Sequence, residues 1–223
     1  MILYHGSDHI IYTPKYGEGK RTNDYGRGFY CTKYLDLAKE WACQKETDGF
    51  ANKYEFDSSG LEVLNLNSGK YSILNWLALL AKNRSYWENS AISEDAKSYL
   101  RKYFLLPLND VDVIIGYRAD DSYFTFAKQF VANGISVRQL KEAMKLGELG
   151  EQIVLLSRKS FEKIKYLDAI PAEGSIYASR AINRDREARK RYRKETREKR
   201  LDDDIFMLDI LRGEVAHDDP RLF

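Results

Sequence analysis

Apolar and polar positions along the chain alternate in short runs that read as strands, separated by segments with helical spacing. Residues 1–5 form the first short strand and end on "HGS". A Gly-rich polar loop runs to about residue 28, and "GFYCT" (28–32) is a second strand in which Gly28 marks tight backbone passage. In "KYLDLAKEWACQK", Tyr34, Leu37, Ala38 and Trp41 recur at helical spacing, and Thr32 is the expected N-cap. "KYEFD" and "LEVLNL", split by Ser58, Ser59 and Gly60, predict a hairpin or two separate short strands. An apolar helix over "KYSILNWLALLAKNR" and a charged one around 93–104 come next. "DVDVIIGYRADD" is the clearest buried strand, followed by helices near 122–132 and 136–147. "EQIVLLS" is a further strand, and "KSFEKIKYL" completes a first unit, 1–170. The pattern predicts an α+β protein.

After Pro171 the composition changes, and 171–223 is expected to be a helical extension packed on that unit. Residues 180–200 hold eleven Lys/Arg against four Asp/Glu, a surplus of seven. With a whole-chain charge of +2, the rest carries a net of −5. Such a run reads first as a solvated helix with Glu187/Arg191 and Glu195/Lys199 pairs, and second as a surface for nucleic acid or an acidic partner. "DDDIFMLDILRGE" places Ile205, Leu208 and Leu211/Arg212 on a helical period behind an aspartate cap.

Composition narrows the class without naming it. A chain of 223 residues that is 43 % hydrophobic and 31 % charged is expected to fold as a globular protein. No stretch reaches the roughly 20 apolar residues of a bilayer span, and the N-terminus lacks the pattern of a secretion signal. Cys31 and Cys43 have no ligand spacing around them, so free thiols in a reducing cytoplasm are expected. With His5, His9 and His217 they make no metal site.

The candidate chemistry lies in "NDYGRGFYCTKYLDLAKEWA", read with "LYHGS". The glycine loop precedes a strand, so it is not a dinucleotide fingerprint, which needs a strand before it and a helix after. The order is a strand ending in His-Gly-Ser, then Gly-aromatic-Tyr, then a helix carrying an aromatic, then a strand opening with Glu151 and Gln152. That order resembles the ADP-ribosyltransferase superfamily in its His–Tyr–Glu branch, which includes diphtheria toxin and the poly(ADP-ribose) polymerases. "YEFD", "VDVIIG", "EQIVLLS" and "DILRGE" are also similar to a bacterial toxin-like family within it, often encoded beside a small helical partner.

The resemblance implies a two-sheet fold with NAD, a substrate, in the cleft between the sheets. It puts His5, Gly6 and Ser7 on the first element, Tyr30 on the motif tyrosine, Trp41 on the second aromatic and Arg27 where the polymerases have lysine. NAD would be held by His5, Gly6, Ser7, Arg27, Tyr30 and Trp41. Breaking the nicotinamide–ribose bond leaves an oxocarbenium-like sugar and a neutral leaving group, so the site must hold nicotinamide and steady positive charge. Gly6 lets its backbone approach the nicotinamide amide, while Tyr30 and Trp41 can sandwich the pyridinium ring. His5 would orient a ribose hydroxyl. The branch's glutamate has two candidates, Glu151 and Gln152, on opposite faces of one strand. Register with the polymerases favours Glu151, whereas the bacterial family favours glutamine at the second position, and Gln152 is the narrower choice. Glu148, before the strand, ranks behind both. A neutral amide there would lose about 1–2 kcal/mol, roughly ten- to thirtyfold in rate.

Gly116, Arg118, Asp120 and Asp121 could contact the nucleotide or shape an acceptor site, or Asp121 and Ser122 could simply cap the next helix. Arg21 and Arg27 could face the pyrophosphate. The expected activity is NAD-dependent ADP-ribosyl transfer to a protein or nucleic-acid acceptor by a cytoplasmic toxin with a small antitoxin-like partner. NAD hydrolysis and a silent NAD, ADP-ribose or RNA binding module are the alternatives.

Overall fold

The computed structural model describes residues 1–44, 46–85, 90–119, 121–146, 151–195 and 201–223. Two small sheets form the centre. One holds β1 (Ile2–Ser7), β3 (Gly49–Phe56) and β7 (Ile164–Ala172) in the order β1-β3-β7, all antiparallel. The other holds β2 (Phe29–Cys31), β6 (Glu151–Leu155), β5 (Val113–Tyr117) and β4 (Val63–Asn65) in the order β2-β6-β5-β4. Only β4 and β5 run parallel within it. A bridge between Tyr4 and Thr32 joins the sheets through two backbone hydrogen bonds of 2.8 and 2.9 Å. Leu3, Tyr54 and Phe56 of the first sheet pack with Phe29, Cys31, Val113, Ile153 and Leu155 of the second in one buried cluster.

The apolar helix of the sequence is α2 (Ile73–Asn83), buried along almost its whole length against α3 (Ala91–Tyr103), in a cluster that also holds residues of α4 (Asp121–Val131). Its Ser72 cap accepts from the Leu74 amide, and Asn75 accepts from the Ser72 amide in return. α1 (Leu35–Ala42) lies against β1 and β3, α5 (Val137–Ala143) precedes β6, and α6 (Arg158–Glu162) precedes β7.

Four details differ from the sequence pattern, the first being that "KSFEKIKYL" holds the end of α6 and the start of the strand β7, which crosses the expected boundary at residue 170. "KYEFD" and "LEVLNL" are two strands of different sheets, not a hairpin, because β3 is already flanked by β1 and β7. Thr32 does not cap α1: its backbone is spent on the bridge to Tyr4, and Tyr34 takes the N-cap position. The buried face of α8 (Met207–Leu211) is Met207 and Ile210 rather than the period of Leu208 and Leu211.

The C-terminal segment is built into the same core. α7 (Gly174–Glu195) packs on α1 and α4, and its Tyr192 ring stacks on Phe126 at 4.2 Å. Met207, Ile210 and Leu222 are fully buried in the cluster that holds α2. Ion pairs on α7 join Arg189 to Asp185 and Lys190 to Glu187. The expected Glu195–Lys199 pair, Glu148, Asp120 and the side chains of Asp121 and Ser122 lie outside the described residues.

Candidate active site

A cleft of about 1050 Å³ opens where β1, β2, α1 and α7 meet, at the upper end of what small-molecule sites occupy. His5, Gly6 and Ser7 from β1, Tyr30 from β2, Trp41 from α1 and Gln152 from β6 all line it. Arg27 is exposed and is not brought into the lining, and neither is Glu151. Arg118 does reach the cleft.

The register of β1 explains the first wall. Met1 exchanges hydrogen bonds of 2.7 and 2.8 Å with Phe56, so the odd-numbered residues of β1 face β3. Tyr4 faces the other way, toward Thr32. Gly6, two residues on, therefore turns its N–H and C=O off the same free edge of β1. Its α-carbon is pressed against α1: a Cβ there would lie 1.9 Å from the Ala38 carbonyl oxygen. Behind this wall sits Asn52, fully buried. Its Nδ2 donates to the Ser7 hydroxyl at 3.0 Å and to the His5 and His9 carbonyls at 3.3 Å, while its Oδ1 accepts from the Ile11 amide.

His5 stacks on Phe29 at 4.4 Å and its Nδ1 lies 2.7 Å from the Tyr30 carbonyl oxygen. A carbonyl only accepts, so Nδ1 carries the hydrogen and Nε2 is left as an acceptor in the neutral ring. Burial lowers the His5 pKa, partly offset by that carbonyl. The unfolded imidazole, near its ordinary 6.5, therefore protonates before the folded one. This contribution to stability is present above that value and is lost as the pH falls through and below it. The difference in urea midpoint between the native chain and His5→Asn is expected to shrink from pH about 7.5 to about 5.5. A constant difference would mean that His5 titrates alike in both states.

Tyr30 is held at both ends of its hydroxyl, which donates to the Gly26 carbonyl at 2.7 Å and accepts from the Tyr25 amide at 3.0 Å. Burial raises its pKa strongly, so the phenol is a fixed neutral group and not a base. The loop can close on it because Gly26 sits at φ +78°. Trp41 is half-buried, carries the Arg118 guanidinium 4.5 Å from its ring on one face, and has its indole N–H buried without a partner among the described residues. A ligand ring can use Trp41 from the other face or by displacing Arg118.

The strand with two candidates resolves in favour of one. Gln152 is 4 % exposed and faces the cleft, opposite Gly116 on β5. Glu151 turns away, 3.7 Å from Lys33, and accepts from Asn67 at 3.1 Å. Asp24 stands in the "NDYGRGFY" stretch, but the motif gives it no role; it is also 4 % exposed and lines the cleft beside Gln152. Its carboxylate is 2.6 Å from the Arg84 guanidinium, and its role is not legible locally because its partners come from three distant segments. On α7, Arg184 pairs with the buried Glu40 across the cleft wall. Cys31 and Cys43 are buried, unpaired thiols whose pKa values burial raises, which removes them as nucleophiles. Among the described residues there is no group of three side chains able to hold a metal ion, and no helix long and apolar enough to cross a membrane.

The cleft thus offers an exposed backbone edge, two aromatic rings, an imidazole acceptor, an amide and several cations. That set can grip a planar amide-bearing ring and hydroxyls of a sugar. The profile of the family described as "Protein of unknown function (DUF3990)" matches residues 1–166. No curated protein and no solved structure matches the chain.

Proposed function

For this chain, which belongs to the DUF3990 family, we propose NAD-dependent ADP-ribosyl transfer in the cleft between its two sheets, on an ADP-ribosyltransferase-like fold. The observation that carries the reading is convergence: His5, Gly6, Ser7, Tyr30, Trp41 and Gln152, from four separate elements, line a single cleft. The free edge at Gly6 would hold the nicotinamide amide by donor and acceptor together. Tyr30 and Trp41, the latter after displacement of Arg118 or from its other face, would stack the pyridinium ring, whose positive charge favours an aromatic neighbour. His5 would accept from a ribose hydroxyl through Nε2. Gln152 would accept from a second ribose hydroxyl and leave the sugar positioned as the bond to nicotinamide lengthens. The acceptor, a protein or nucleic-acid group, would then attack the anomeric carbon. The cell biology proposed with it is that of a bacterial toxin restrained by a small protein partner. Since Met207, Ile210 and Leu222 are buried in the core, such a partner would dock on the exposed basic face of α7 rather than on 205–222.

The test is incubation with adenylate-labelled NAD and whole-cell lysate. Nicotinamide release with label in a macromolecular fraction is expected, and Gln152→Ala is expected to slow release by roughly ten- to thirtyfold. Free ADP-ribose with no labelled macromolecule would make the protein an NAD hydrolase instead. A second reading is favoured by one observation: the polar group facing the cleft from β6 is a neutral amide, and the nearby Asp24 carboxylate is ion-paired. In that reading the cleft binds NAD or ADP-ribose without reaction. Saturable NAD binding with no nicotinamide release would establish it.

A further inference from the structure

We propose that Asp24 is a positioning residue: it fixes the Gln152 amide with its NH2 turned inward and its Oε1 turned to the ligand, which makes glutamine, and excludes glutamate, at that place. The inference deepens the reading above and depends on it only for the identity of the ligand.

Gln152 Nε2 donates to Asp24 Oδ2 at 2.9 Å. An ionised carboxylate accepts and never donates, so the chemistry decides which end of the amide faces Asp24. Asp24 cannot swing away. Oδ2 also accepts from the Ala119 amide at 2.9 Å, and Oδ1 accepts from Arg84 Nε at 2.7 Å. Arg84 is itself anchored by donating to the Ala119 carbonyl, and the Asp24 backbone carbonyl accepts from Asn83 at 3.0 Å. Both carboxylate and amide are almost completely buried. With Nε2 committed, Oε1 is the end of the amide left to accept a hydroxyl proton from a ligand.

A glutamate at position 152 would set a second carboxylate at hydrogen-bonding distance from the first, with no proton between them. Like charges that close do not both stay ionised, so one must bind a proton or the wall must open. Among the described residues, the charged and titratable groups recorded against Asp24 are Arg84 from the end of α2 and the phenols of Tyr25 and Tyr30. Arg84 is already committed to Asp24, and the phenols are raised by burial, so none of these groups relieves the pair. Glu151, the neighbouring residue on the strand, points out of the cleft to Lys33 and Asn67 and takes no part in this pair.

The experiment is a double-mutant cycle of Gln152→Glu, Asp24→Asn and both together, read by urea midpoint across pH and by nicotinamide release from NAD. Gln152→Glu is expected to be destabilised at neutral pH. Its deficit should narrow as the pH falls from about 8 to about 5, because the folded pair holds a proton that the unfolded chain releases. In the double variant the new asparagine NH2 can donate to the new glutamate carboxylate, at the loss of the hydrogen bond that Oδ2 accepts from the Ala119 amide, so the rescue is expected to be partial. That variant is therefore expected to be more stable than Gln152→Glu alone and to release nicotinamide at least about tenfold faster than it. Additive losses, or a Gln152→Glu deficit independent of pH, would overturn the proposal. If Gln152→Glu does not fold at neutral pH, folding of the double variant supports the coupling and its failure to fold overturns it. If the native chain releases no nicotinamide, the reading of the reaction fails while the stability cycle still decides the role of Asp24.

Discussion

Gly6→Ala is expected to be the most damaging of the glycine-to-alanine changes among the described residues. The new Cβ would sit 1.9 Å from the Ala38 carbonyl oxygen, 2.7 Å from the Ala42 nitrogen and 2.8 Å from the Trp41 Cβ. Two of these are backbone atoms of α1, which cannot rotate out of the way as a side-chain tip can. The helix must lift off β1, losing the burial of Ala38 and Ala42. A cost of at least about 3 kcal/mol is expected, above the usual range for overpacking because the obstacle is backbone. For a chain of this size that lowers the melting midpoint by roughly 6–12 °C. The same displacement carries Trp41 away from its place in the cleft wall. An unchanged midpoint in urea or on heating would show that α1 does not rest on Gly6 as described.

The second large effect is expected at Tyr30, where two substitutions separate ring from hydroxyl. Tyr30→Ala removes the ring from the cleft and both hydrogen bonds that tie Tyr25 and Gly26 to β2. Nicotinamide release is expected to fall by about 100-fold or more, since positioning losses of this kind reach that size. Tyr30→Phe keeps the ring and loses only the loop anchor. Its stability is expected to drop by about 1–3 kcal/mol, because the Tyr25 amide and the Gly26 carbonyl lose their partner. Release is expected to fall only about tenfold. Single-turnover release measured beside urea midpoints distinguishes the two. If Phe were as slow as Ala, the hydroxyl and not the ring would carry the role of Tyr30. Unimpaired release by the alanine variant would remove Tyr30 from the reaction altogether.

These two residues also mark what a sequence can disclose. The "HGS" and "GRGFY" stretches were legible because each is local: a glycine beside the residue it serves, and a strand alternation that needs no partner to be seen. Helical spacing likewise located α2, and the position of Trp41 on α1 followed from its period. The reason for Gly6, however, is only partly in its own strand. Its N–H and C=O face the free edge of β1, as the motif leads one to expect, but its missing side chain is demanded by α1. No reading of residues 1–8 contains that helix.

Local pattern by itself located most of the elements in order and several residues with suitable chemistry on them, but it did not read Ile164–Ala172 as the strand β7 that completes the first sheet. It could not choose between Glu151 and Gln152. Alternation says that they point to opposite faces, and only the packing of β6 between β2 and β5 says which face is the cleft. Nor could it find Asp24, whose neighbours Arg84, Ala119 and Gln152 lie 60, 95 and 128 residues away along the chain. Hydrogen bonds and charge pairs of that kind depend on distance in space, and distance in space is settled by how the whole core closes, not by any window of sequence.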